Sequence, residues 1–135
     1  MRTRLAVLVV LAIVVAGCGG SAKKTTFTNT NWGQLEFNAA TGKDNGSPVD
    51  FVGQVYLADL QEPGAVWFAV YVDYKHLNFR TLVKYAPTNF LVQENQFVHV
   101  VGTVEQSTAT PDMIMWDNEP IVVASKATFV KQPSG

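Results

Sequence analysis

Side chains able to do nucleophilic or acid–base chemistry are few. The 135-residue chain has one cysteine, Cys18, and two histidines, His76 and His99. A nucleophile needs a base within hydrogen-bonding reach and a third group to orient that base. Neither histidine falls in such a setting, and there is no Gly-x-Ser-x-Gly elbow, paired-histidine zinc motif or glycine-rich phosphate loop. The expectation is a non-enzymatic protein without a cofactor. Asp112, Asp117 and Glu119 are oxygen ligands of the kind calcium takes, but their spacing does not follow an EF-hand loop, and no metal is expected. Within the same stretch, Met113, Ile114, Met115 and Trp116 form an apolar cluster bracketed by acids. Such a cluster either packs back on its own fold or, left exposed, meets a protein partner, for which methionine is well adapted.

The only cysteine belongs to a different chemistry. Arg2 and Arg4 precede an apolar run from Leu5 to Ala16, followed by Gly17 and Cys18. A basic start, an apolar middle and small residues at the cut make a secretory signal peptide, and the run falls short of the roughly 20 apolar residues of a spanning helix. Val15-Ala16-Gly17-Cys18 resembles the lipobox of bacterial lipoproteins, in which the cysteine receives diacylglycerol before cleavage. The resemblance implies a signal peptide over 1–17, lipidation of Cys18, and a domain tethered by its lipid to a membrane of the cell envelope, facing outside the cytoplasm. With no second cysteine, no internal disulfide competes for the thiol. Residues 18–26, small and polar, read as a flexible tether. Lys23 and Lys24 would add only about 1 kcal/mol each at an anionic surface, so the lipid does the anchoring.

Charge narrows the partners. Cleavage removes Arg2 and Arg4 and leaves eight basic against 11 acidic side chains, a formal net charge of −3. Binding that draws its affinity from phosphate neutralisation is disfavoured by that balance.

The remaining residues, 27–135, make one domain. Five segments alternate apolar and other residues with the period of a strand: Val49–Leu57, Ala65–Asp73, Phe79–Tyr85, Phe97–Gln106 and Pro120–Val130. In the first, Val49, Phe51, Val55 and Leu57 are expected on one face, with Gly53 where a strand can bend or another backbone approach. The second is apolar on both faces, as a central strand is. Asn31–Phe37 is expected to form a short helical lead-in, and Phe90–Gln96 a short helix or an irregular crossing.

Short strands with an interruption between the third and fourth predict an all-β chain closed into a small five-stranded barrel. Val52-Gly53-Gln54-Val55, the run Val98-His99-Val100-Val101-Gly102-Thr103-Val104 and Pro120-Ile121-Val122-Val123-Ala124 resemble the OB fold of tRNA-anticodon-binding-like domains. The resemblance implies a ligand face on the second and third strands, where Trp67, Tyr71, Arg80 and Lys84 would point outward with Asp73 nearby. Rings beside cations suit stacking on a sugar or a base. Alternatively, Trp67 is covered by the lead-in around Trp32. The expected function is that of a membrane-anchored binding or interaction module with an envelope protein as partner. The alternative is an oligosaccharide- or single-strand-binding domain acting through that face.

Overall fold

The period-two segments become five strands in the computed structural model, which describes residues 24–38, 41–60, 65–105 and 119–134. They are β1 (Pro48–Leu60), β2 (Val66–Asp73), β3 (Asn78–Tyr85), β4 (Phe97–Glu105) and β5 (Ile121–Val130), preceded by a short helix, α1 (Trp32–Asn38). The strands close into a barrel in the order β1-β2-β3-β5-β4. Neighbours run antiparallel except β3 and β5, which are parallel. At that closure Pro120 O accepts both the Leu82 amide and the buried Thr81 hydroxyl.

One long strand serves two neighbours. The first half of β1 pairs with β4 and the second with β2, the two ladders meeting at Gln54. A side chain at Gly53 would place its Cβ 2.8 Å from the Cβ of Val70, closer than atoms pack. The close approach at Gly53 is therefore made by a side chain of β2, not by another backbone.

Inward-facing residues of all five strands form the core, among them Val49, Phe51, Val55, Phe68, Val70, Val83, Val98, Val100 and Val122. Each such side chain taken out of water contributes on the order of 1.5–3 kcal/mol. Seven residues cannot sustain a helix alone, and α1 is held by Trp32, Leu35 and Asn38, its buried face. The Trp32 ring lies 4.6 Å from that of Phe51. Trp32 is thus part of the main core and does not cover Trp67. At the end of α1, Thr41 Oγ1 donates to Asn38 O, one of the carbonyls the helix leaves unpaired.

The segment ahead of α1 is stitched to the barrel. Phe27 N donates to Pro48 O, and Asp50 N to Phe27 O. The Asn29 side chain forms a clasp: its Nδ2 donates to Val52 O at 2.7 Å and Val72 O at 2.9 Å, while its Oδ1 accepts from Val52 N at 2.9 Å.

One detail corrects the sequence reading and another decides between its alternatives. Leu57 does not join the core, because a register shift between Val55 and Leu57 turns it toward an outer cluster with Trp67. Phe90–Gln96 is an irregular crossing with no helix. Its backbone bonds go to β1, from Asn95 N to Val55 O and from Val55 N to Gln96 O, and Asn95 has φ 72°, outside the helical region. Phe90 meanwhile stacks on Phe129, ring centroids 4.5 Å apart. Among the described residues no helix is long and apolar enough to cross a membrane.

Candidate ligand cleft on the second and third strands

The pairing of β2 with β3 sets Trp67 opposite Lys84, Ala69 opposite Leu82 and Tyr71 opposite Arg80. Side chains alternate along a strand, so all six project from the outer face of the barrel. The row then divides in two.

At one end Trp67 is only 8% exposed. It packs with Ala69, Leu82 and Ile121, flanked by Tyr56, Leu57 and Ala65, and the Lys84 ammonium sits 5.3 Å from its ring centre. Trp67 and Lys84 thus occupy each other, and Trp67 presents no open face for stacking. The four side chains expected to be exposed together are not.

The other end opens into a cleft of about 530 Å³ lined by Glu36, Tyr71, Leu77, Asn78, Phe79, Arg80 and Glu119. Small-ligand sites occupy roughly 300–1,000 Å³. Glu36 reaches the cleft because α1 lies close to β3: a Cβ on Gly33 would meet the Phe79 ring at 3.3 Å, and Glu36, three residues on, shares that helix face.

The cleft's electrostatics centre on two carboxyls and a guanidinium. Arg80 Nη2 donates to Glu119 Oε1 at 2.9 Å. Burial pushes the Glu36 carboxyl up to about 8, assisted by the charge of Glu119 and a hydrogen bond to it, and opposed by Arg80. Glu36 therefore carries a proton near neutrality, beside the ion pair of Arg80 with Glu119. Among the described residues no donor meets the buried Oε1 of Glu36. Burial works against the Arg80 charge, but the hydrogen bond and charge of Glu119 outweigh it and raise its pKa overall. Tyr71 stacks on Tyr56 with ring centroids 4.2 Å apart, and burial holds the Tyr56 phenol well above its ordinary range, with Arg80 opposing.

The cleft rim is strained. Leu77 and Phe79 have φ of 51° and 56°, a left-handed conformation costing bulky residues on the order of 1–3 kcal/mol each, of a kind that gathers at ligand sites.

The histidines stand elsewhere. His76 Nδ1 lies 2.9 Å from Asp73 on the exposed β2–β3 turn, and His99 Nε2 lies 2.6 Å from Asp50 across the β1–β4 ladder. Neither lines the cleft. Glu119, considered with Asp112 and Asp117 as a calcium ligand, engages Arg80 instead. Asp112 and Asp117, like Cys18 and the cluster Met113, Ile114, Met115 and Trp116, lie outside the described residues. The sequence reading missed Glu36, an acid with no motif around it; the one available hint was its spacing of three from a glycine on a short lead-in.

A closed barrel of this strand order, with its third and fifth strands parallel and a helix plugging the core, is an OB fold. No protein-family model and no curated protein matches the chain. Solved structures do. The OBody AM3L09 bound to hen egg-white lysozyme is 18% identical with a TM-score of 0.50, over 84% of this chain and all of that one. A replication protein A heterotrimer bound to ssDNA is 16% identical, TM-score 0.45, over 64% of this chain. Yeast Stn1 and Ten1 give 9% identity and a TM-score of 0.48 over 84% of this chain. The matches span 59% and 65% of those last two chains. At such identities the likeness concerns the fold.

Proposed function

We propose that the chain is an exported lipoprotein, anchored through Cys18, whose OB barrel takes a polyhydroxylated ligand of the oligosaccharide class in the β2–β3 cleft. The observation that carries this reading is the cleft's composition: a protonated and an ionised carboxyl, one guanidinium already paired, and aromatic side chains in its wall. Sugar hydroxyls both donate and accept, and a neutral carboxyl beside a carboxylate supplies both partners. The rings of Tyr71 and Phe79 suit the apolar face of a sugar. A phosphodiester backbone would have to displace Glu119 from Arg80 and meet two carboxyls, on a domain whose net charge is already negative. Strain at Leu77 and Phe79 supports a role for the rim in binding. The anchor is supported by Val15-Ala16-Gly17-Cys18 after the apolar run.

Thermal unfolding of the full chain in detergent, with neutral oligosaccharides and with single-stranded oligonucleotides, tests the ligand. A ligand at a hundred times its Kd stabilises the folded state by about 2.7 kcal/mol, a shift of several degrees. Saccharides are expected to give that shift in the parent chain and not in Arg80→Ala. A shift with oligonucleotides alone would overturn the reading. For the anchor, Cys18→Ala should lose its lipid and its membrane association; a variant still bound to membranes would overturn that part.

A further inference from the structure

We infer that the cleft selects a ligand bearing a basic nitrogen, such as an unacetylated amino sugar, which pairs with Glu36 where Arg80 is already engaged by Glu119. This rests on the saccharide reading of the cleft and specifies which saccharide.

The groups facing the site are Glu36 from α1, Glu119 from the segment ahead of β5, Tyr71 from β2 and Arg80 from β3, with Tyr56 of β1 behind Tyr71. Arg80 is the cation among the residues lining the cleft, and it is committed to Glu119. With both carboxyls ionised, one negative charge would go uncompensated in a partly enclosed space. In the free protein a proton on Glu36, favoured by burial and by the neighbouring charge of Glu119, removes that charge. An ammonium supplies what this arrangement lacks: a second positive charge and three N–H donors. An acetylated nitrogen supplies one N–H and no charge. The exchange of the Glu36 proton for the ammonium balances simply. A ligand R–NH3⁺ enters, the O–H bond of Glu36 breaks, its proton leaves to solvent, and the ammonium pairs with the carboxylate left behind.

Calorimetric titration of the full chain in detergent at about pH 6 tests this, comparing a glucosamine oligosaccharide with the N-acetylglucosamine oligosaccharide of the same length. Running each in two buffers of different ionisation enthalpy counts the protons released. The free-amine form should bind roughly ten- to a hundredfold more tightly, the range of a charge-assisted hydrogen bond, and release about one proton, as the exchange requires. Both the preference and the release should vanish in Glu36→Gln. The proton count in the unmodified chain stands even if that variant folds poorly. Equal affinities, or a preference without proton release, would overturn the exchange and leave the saccharide reading in place. Binding of neither form would overturn both.

Discussion

The two faces of β2 differ in what their residues do. Inward, Phe68, Val70 and Val72 are buried in the core. Outward, Trp67 and Ala69 are buried as well, in a second small cluster, and only Tyr71 reaches the cleft. The outer face is therefore a packed layer for half its length and a polar cleft for the rest. Aromatic content alone does not mark an open surface: the larger ring on this face belongs to the packing, and the smaller one, beside the charges, lines the candidate cleft.

The largest expected effect sharpens the inner side of this comparison. Phe68→Ala should cost about 3–5 kcal/mol, measured by denaturant unfolding, because Phe68 is wholly enclosed. Gly53→Ala tests the close packing of β1 on β2 and should cost about 1–3 kcal/mol through overpacking against Val70. Both changes act on stability without touching the cleft.

The outer side responds differently. Glu36 carries its proton in the folded chain up to about 8, whereas an unfolded glutamate ionises near its ordinary value of 4.5. The folded state thus binds the extra proton between those values. Stability from this group is greatest below the window, falls as pH rises through it, and levels off above it. Glu36→Gln should abolish this part of the decline, seen as a midpoint that changes by a few degrees less between pH 5 and 8. Leu77→Gly relieves a left-handed leucine and should raise stability by up to about 1 kcal/mol, while weakening ligand binding if the rim positions the ligand. The smallest effect is expected for Asp50→Asn. It removes an exposed pair with His99 and should change stability by less than about 1 kcal/mol; a larger loss would mean that the outer surface matters away from the cleft.

The barrel was legible in the sequence because a strand with one buried face writes its alternation into the chain. Val98, Val100, Gly102 and Val104 face inward as their spacing implies. Leu57 broke the pattern because a bulge shifts register and period two has no way to record it. Phe90–Gln96 was ambiguous because its order comes from bonds to β1, distant in sequence. The candidate cleft was only half legible. Tyr71 and Arg80 followed from placing a ligand face on two strands, but Glu36 and Glu119, 83 positions apart by their residue numbers, meet only once α1 packs by β3 and β5 closes the barrel. Trp67 misled for the opposite reason: a tryptophan on an outward position carries no mark of being covered.

The Asn29 clasp bears on how the barrel answers to force. A pull exerted from upstream of Lys24 travels through Phe27 and Asn29 before it reaches the core. There it meets two backbone bonds to β1 and three side-chain bonds spanning Val52 and Val72. The Asn29 side chain thus ties β1 and β2 to each other as well as to the leading segment. A load arriving from that side is thereby divided between two strands before it reaches the core.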